Sequence, residues 1–89
     1  MTGPQYVRAP GLKAIAMDGE LVMMGMDQGE YFAMRGVAAA VWELLSEPRS
    51  LSELSRQIAT DYDVAVETCE PDIARFIEQL EAKQLVLPA

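Results

Sequence analysis

The sequence predicts an α+β domain, winged-helix-like in its order of elements, with a three-stranded antiparallel sheet followed by three helices. Three observations support this prediction. The apolar residues of the stretch 12–34 fall into short runs of strand length, separated by turn signals. After Gly36 the apolar period changes to about 3.6 residues, which is typical of amphipathic helices. The chain has 89 residues, of which 51% are apolar, so it suffices for one modest core and not for two.

The first two strands are predicted as a hairpin. A strand is expected at 12–17, and Asp18-Gly19 supplies the pair of positive φ angles that a tight two-residue turn prefers. The apolar run at 21–26 indicates either a central strand covered on both faces or flexible methionine side chains spread over an uneven core. Gly25 within this run is interpreted as a bulge.

The third strand completes a meander. A turn at 27–29 leads into the predicted strand at 30–34, which carries two aromatic residues and a methionine. Residues 1–11 contain two glycines and two prolines within a short span and predict a flexible N-terminal arm. The single domain is therefore expected to span 12–89.

The first two helices have clear local signals. Apolar side chains recur at helical spacing over 37–45, and Trp42 is expected to anchor this helix to the sheet. Ser50 and Glu53 have the Ser-x-x-Glu spacing of a capping box. A second helix is therefore predicted at about 51–60.

The third helix is predicted to begin between Thr68, a candidate cap, and Pro71, which the first turn of a helix tolerates. It is expected to extend to about Lys83, with an apolar stripe facing inward. The segment 85–87 then predicts a short extended tail that docks on the sheet.

Charge and residue usage exclude several function classes. Seven basic and fourteen acidic residues give a net charge of −7, which disfavours nucleic acid or a membrane surface as a partner. A single cysteine, Cys69, and the absence of histidine exclude an internal disulfide, Cys/His zinc patterns and imidazole-dependent catalysis. We expect no enzyme activity, cofactor or metal site. No secretory or membrane-spanning pattern is seen, which predicts a cytoplasmic protein.

One alternative is a winged-helix DNA-binding regulator. The second and third helices with their short connection fit a helix-turn-helix, and the hairpin fits a wing. However, residues 69–83 carry four acidic and two basic side chains, a net charge of −2, where DNA-binding helices need positive charge. The fold can therefore resemble a winged helix without its function.

A family resemblance rests on four stretches taken together: DQGEYF at 27–32, VWELL at 41–45, PRSLSEL at 48–54 and DIARFIEQL at 72–80. None is specific alone, but their order and spacing resemble the PqqD-like family, the recognition elements for precursors of ribosomally made, enzymatically modified peptides. The resemblance covers residues 12–87. Within it, this chain looks most like the stand-alone leader-binding proteins of lasso-peptide biosynthesis.

The resemblance implies a non-catalytic binding protein. In the family, the leader of a precursor peptide adds as a fourth strand beside the third strand and lies against the third helix, and a modifying enzyme or leader protease then acts on the precursor. Edge-strand backbone groups supply the pairing in this mode, and side-chain pockets select the sequence. The candidate peptide-binding residues are Glu30, Tyr31, Phe32, Ala33, Met34, Arg35, Asp72, Ile73, Arg75, Phe76 and Gln79.

Several interpretations stay open at this point. The strand at 30–34 alternates, so Phe32 and Met34 face opposite to Tyr31 and Ala33, and one of the two sets is expected to be core. The sequence has Gln84 where a glycine is usual after Lys83 in PqqD proper, the pyrroloquinoline quinone protein, which remains the alternative assignment. A structural subunit that pairs its edge with a partner enzyme is a further one. The protein is expected to be a monomer or a weak homodimer.

Overall fold

The fold combines two small sheets with three helices. The computed structural model describes residues 3–12, 14–24 and 31–89, and of Met24 the backbone alone. In chain order the elements are β1 (Gln5–Arg8), β2 (Ala14–Met17), β3 (Glu20–Met24), β4 (Tyr31–Arg35), α1 (Val37–Leu44), β5 (Arg49–Ser50), α2 (Leu51–Tyr62), α3 (Val66–Ala82) and β6 (Val86–Pro88). The α+β class, the meander and the three helices are as the sequence predicts. A second antiparallel sheet of order β5-β1-β6 was not predicted.

The N-terminal segment forms part of this second sheet. The sequence predicts a flexible arm over 1–11, whereas the structure contains β1 there, paired with β5 on one side and β6 on the other. The amide of Arg8 also donates to the carbonyl of Leu45 at 3.0 Å, and that of Ala9 to Leu85 at 2.9 Å. The predicted C-terminal tail therefore pairs with β1 and not with the meander. These partners lie far away in sequence, so the local glycines and prolines gave no sign of them.

The meander has the order β2-β3-β4, which places β3 at its centre and β4 at an edge. Asp18 and Gly19 have φ angles of 49° and 81°, so the predicted two-residue turn joins Met17 to Glu20. Leu12, the predicted first residue of the first strand, lies outside β2, and β3 begins at Glu20, one residue before the run predicted at 21–26. The predicted bulge at Gly25, the turn at 27–29 and the start of the predicted strand at Glu30 lie outside the described residues.

The capping box of α2 forms as predicted. The Oγ of Ser50 accepts from the amide of Glu53 at 3.1 Å, and the Glu53 carboxylate accepts from the amide of Ser50 at 2.8 Å. The hydrogen bond from the Ser50 backbone is the main cause that lowers the pKa of Glu53 below its ordinary value of 4.5. At its other end α2 closes on Asp63 in the left-handed conformation.

The third helix begins one turn earlier than the sequence indicates. Its N-cap is Ala65, which has no side-chain cap, and its first residue is Val66. Thr68 is thus inside the first turn, and Pro71 lies within the helix. A proline is expected near a helix start because it lacks an amide donor, and this expectation placed the boundary too late. The helix ends at Ala82 with Lys83 as cap, as predicted.

One apolar core joins the inner face of the meander to all three helices. Trp42 is 1% exposed and packs with its neighbours in a cluster that both sheets and the helices share. The cluster members buried to less than 9% exposure are Met23, Met34, Val41, Trp42, Leu45, Leu54, Ile58, Ile73, Ile77, Leu80, Leu85 and Val86. No helix among the described residues is long and apolar enough to cross a membrane.

Candidate functional site

The first feature of the candidate site is the open edge of β4. The residues that flank a two-residue hairpin turn exchange both hydrogen bonds, and bonded pairs then alternate along the ladder. Every second residue of β3, beginning at Glu20, therefore bonds to β2, and Leu21 and Met23 bond to β4 at Met34 and Phe32. The remaining backbone groups of β4 point away from β3. They belong to Tyr31, Ala33 and Arg35.

No other described element covers this edge. Apart from its ladder with β3, β4 makes no backbone hydrogen bond to another element within the described ranges. Each N–H and C=O group along the edge is therefore free to pair with an added strand, which is how sheet edges bind extended peptides.

The two faces of β4 are now assigned. Phe32 and Met34 face the helices, and Met34 is 5% exposed, so this pair is the core set that the sequence left open. Tyr31 lies on the opposite face and is 68% exposed. The Lys83 ammonium group lies 5.3 Å from the centre of the Phe32 ring, which links the end of α3 to the edge strand. Arg35, on the outer face, pairs with Glu20.

The second feature is an apolar groove beyond the C-terminal end of β4. It has a volume of about 480 Å³ and lies between α1, the last turns of α2 and the first half of α3. Two predicted site residues on α3, Asp72 and Phe76, line it together with the buried Ile73. Such a groove, apolar with a few polar groups at its rim, suits the anchoring of a side chain. Its lining is Val37, Ala38, Val41, Ile58, Tyr62, Val64, Thr68, Cys69, Asp72, Ile73 and Phe76.

The other predicted residues of α3 lie elsewhere. Arg75 and Gln79 are exposed and do not line the groove, although Arg75 Nη1 lies 3.8 Å from the carboxylate of Asp72 at its rim. Glu30, the first residue of the predicted binding strand, lies outside the described residues. The structure therefore brings Asp72, Ile73 and Phe76 together and leaves the other two on the surface of α3.

Two groove residues of α3, Thr68 and Cys69, were not predicted because the start of α3 was placed too late, and the lining residues of α1 and α2 are brought beside them only by the tertiary fold. With the helix beginning at Val66, Cys69, Asp72, Ile73 and Phe76 follow the i, i+3, i+4, i+7 pattern of one helical face. A start near Pro71 hides the first member of that pattern. The Sγ of Cys69 lies 3.6 Å from the carbonyl oxygens of both Ser55 and Val66.

Comparison with known families now bears on this site. The profile of coenzyme PQQ synthesis protein D (PqqD) matches residues 20–86, which include the meander's two later strands, all three helices and the groove. The chain belongs to the PqqD family. The resemblance that the sequence motifs indicated is thus confirmed, and the edge and groove are features of a PqqD-family fold. A search of curated proteins gave no significant match.

Two solved structures are similar to this PqqD-family chain over most of their length. One is TbiB1 in complex with the TbiA(beta) leader peptide, at 28% identity and a TM-score of 0.79, covering 90% of this chain and 93% of that one. The other is lasso peptide synthetase B1 complexed with the leader peptide, at 23% identity and a TM-score of 0.79, covering 93% and 98%. At that lower identity the second likeness shows a shared fold.

Proposed function

We propose that this protein binds the leader segment of a ribosomally made precursor peptide by adding it as a strand to the open edge of β4. The observation that carries the proposal is the free edge at Tyr31, Ala33 and Arg35, together with an apolar groove whose lining begins at Val37, two residues after the strand ends. Each backbone hydrogen bond adds about 0.5–1.5 kcal/mol net, so the edge supplies part of the affinity for a leader that also fits the groove. Side chains that enter the groove supply the choice of sequence.

The groove is expected to hold an apolar anchor of the leader. Phe76 is half-buried at its wall, and a few well-packed side chains usually carry most of the energy of a peptide interface. Asp72 at the rim adds a carboxylate that an amide or a basic side chain of the leader can meet. Phe76 is therefore the side chain most important for specificity.

The comparisons support a choice of pathway. The two similar structures are of leader-peptide complexes, and one of them is of lasso peptide synthetase B1. Together with the sequence resemblance this favours lasso-type biosynthesis over pyrroloquinoline quinone biosynthesis. In that pathway the protein would be non-catalytic and would present the bound precursor to a modifying enzyme or leader protease. Tethering raises the effective concentration of the precursor at an enzyme that binds it weakly.

A DNA-binding regulator is less well supported. Of the charged residues on α3, Glu67, Asp72 and Glu78 are exposed, and the exposed Arg75 lies near the carboxylate of Asp72. A helix with this charge repels the phosphate backbone instead of releasing counterions from it.

The proposal is tested by titrating a fluorescently labelled leader peptide, encoded near this gene, and measuring anisotropy. In Ala33→Pro the open edge loses one N–H donor and the ring obstructs the added strand, so we expect leader affinity to fall about tenfold or more. In Phe76→Ala we expect a fall of about 5- to 30-fold, because a groove anchor is lost.

The matched control is Ala16→Pro, which removes the equivalent outward donor at the opposite edge of the same sheet and should leave leader binding unchanged. Thermal unfolding checks that each variant is folded. Equal leader affinity in the parent, Ala33→Pro and Phe76→Ala would contradict the site, and no binding by the parent up to high micromolar concentrations would contradict the function.

A further inference from the structure

The meander has a second open edge, formed by β2. By the same alternation, Met17 and Ile15 bond to β3, which leaves the backbone N–H and C=O groups of Ala14 and Ala16 pointing outward. All four residues of β2 are exposed, and no described residue makes a backbone hydrogen bond to it apart from those of β3. This edge is as open to an added strand as that of β4, and it lies on the opposite side of the sheet.

A groove runs along the inner side of this edge, between β2 and α1. Two adjoining depressions, of about 580 and 400 Å³, share Ala16, Leu21 and Glu43 in their linings. The strand contributes only alanines to this side, and α1 contributes Ala39 and Ala40, so space remains for the side chains of an added strand. Unlike the groove formed by the three helices, this one is therefore bounded directly by the edge strand, through Ala14 and Ala16.

One residue that lines the groove carries a buried polar group without a partner among the described residues. Trp42 lines the groove and is 1% exposed, and its Nε1 finds no hydrogen-bond acceptor among the described residues. Buried N–H groups are nearly always paired, because an unpaired one loses its hydrogen bond to water without compensation. An oxygen that enters the groove with a bound segment, after a small shift of the wall, would pair with it.

The outer face of the sheet beside this edge is apolar. Ile15 is 63% and Met17 is 55% exposed. Ile15 lies opposite Val22, and Val22 lies opposite Ala33, so these three side chains form a row across the outer face. The apolar run of β3 is typical of a strand covered on both faces, yet no described element covers the outer face. Exposed apolar surface of this kind marks interaction sites.

We propose that the β2 edge is a second strand-addition site, which binds an extended, net-basic segment of a partner protein. The open backbone groups require an extended occupant, because only such a chain pairs with successive groups along an edge. Inward side chains of that segment would fill the groove, and outward ones would cover Ile15 and Met17. The site is independent of leader binding, and both edges can be filled at once to give a five-stranded sheet.

The charge of the protein selects among occupants. The chain carries −7, and the described acidic groups around this edge are Asp18, Glu20 and Glu43, of which the last two already pair with Arg35 and Arg8. A second copy would bring another −7 against this edge, whereas a basic segment is attracted to it. The preferred occupant is therefore a basic strand and not a second copy.

The test uses the full chain and a synthetic peptide of about eight residues, a common strand length, that alternates lysine and valine. Binding is followed by NMR of the ¹⁵N-labelled protein. We expect the peptide to slow hydrogen exchange at Ala14 and Ala16 and to shift the single indole N–H signal, which belongs to Trp42. Exchange at Tyr31 and Ala33 should not change.

A peptide of the same composition with lysines and valines in separate blocks is the control for simple charge attraction.

Two variants complete the test. Ala16→Pro removes one outward backbone donor without removing a hydrogen bond of the ladder, and Ala16→Phe fills the groove. Each substitution should weaken binding of the alternating peptide by about tenfold. The control substitution Ala33→Pro should leave binding of this peptide unchanged. Equal binding of both peptides, or unchanged binding in both Ala16 variants, would overturn the proposal. Sedimentation that shows a dimer of the parent and a monomer of Ala16→Pro would also overturn it, because a second copy then fills the edge. Leader binding is measured on the same samples, so its failure is recognised separately.

Discussion

Two fully buried serines show how one hydroxyl group stabilises this fold and another does not. Ser50 and Ser55 are both 0% exposed. The Oγ of Ser50 caps α2 through the amide of Glu53, whereas the Oγ of Ser55 has no hydrogen-bond partner among the described residues. The Ser50 hydroxyl accepts a hydrogen bond from a helix N–H group that would otherwise need water. The Ser55 hydroxyl loses its hydrogen bonds to water on burial and gains none in return.

We therefore predict opposite outcomes for two alanine substitutions. Ser50→Ala should lower the free energy of unfolding by about 1 kcal/mol, the usual cost of losing a cap, and the melting temperature by about 4–8 °C. Ser55→Ala should be neutral or stabilising, since it removes an unpaired polar group from the interior of a helix. Urea unfolding of both variants checks this, and equal losses would show that the cap contributes nothing specific.

The capping box also makes a pH-dependent contribution. The pKa of Glu53 is lowered in the folded protein, so its carboxylate stabilises the fold above the unfolded value near 4.5, and this contribution is lost as the pH falls through the lower, folded pKa. Glu53→Gln keeps a side chain that reaches back to Ser50 but cannot titrate. The difference in unfolding free energy between the parent and this variant should be constant at neutral pH and shrink below about 4.5. A difference independent of pH would contradict the assignment.

At the scale of elements, α3 begins at a different residue in the structure than the local sequence signal indicates. Thr68 has the chemistry of a cap, but Ala65 occupies the cap position with extended backbone angles and no side-chain bond. The backbone carbonyl of Ala65 instead accepts from the amides of Thr68 and Cys69, at 3.0 and 3.2 Å. The earlier start adds a turn to α3, and that turn brings Thr68 and Cys69 to the groove.

This start predicts the effect of two further variants. Thr68→Ala should change the free energy of unfolding by less than about 0.5 kcal/mol, because Thr68 is not the cap. Ala65→Ser should raise it by about 0.5–1 kcal/mol, since a hydroxyl there can accept from the amides of the first turn. Thermal unfolding measures both. A loss of about 1 kcal/mol in Thr68→Ala would place the helix start where the sequence alone indicates it.

At the scale of the whole molecule, the second sheet joins the two ends of the chain. β1 lies between β5, which precedes α2, and β6, which follows α3. Its side chain Tyr6 packs against the core, and Arg8 lies over the ring of Trp42, 5.4 Å from its centre, and 3.6 Å from Glu43. The N-terminal strand thus connects the segment before α2 with the segment after α3.

A variant that lacks residues 1–8 should therefore be less stable than the parent. Loss of ladder bonds worth about 1 kcal/mol each is expected to lower the free energy of unfolding by at least about 2 kcal/mol. Removal of residues 1–4, which precede β1, is the control and should have little effect. Leader affinity should be unchanged in both, because β1 lines neither the β4 edge nor its groove. A stable variant without residues 1–8 would support the flexible arm that the sequence predicts.

The sequence by itself determined the features that depend on neighbouring residues. The hairpin turn at Asp18-Gly19, the capping box of Ser50 and Glu53, and the succession of the meander and the three helices all depend on residues a few positions apart. The edge at residues 31–35 was expected through the family resemblance, and the register then identified which backbone groups it leaves free.

Only the tertiary structure decided the features whose partners lie far apart in the chain. It assigned Phe32 and Met34 to the core, because alternation allows either face until the helices cover one. It formed the second sheet from β1, β5 and β6, and it built the groove from three helices. Among the described residues, it also left the β2 edge uncovered. Such features depend on which segments meet, and local propensity carries no information about distant partners.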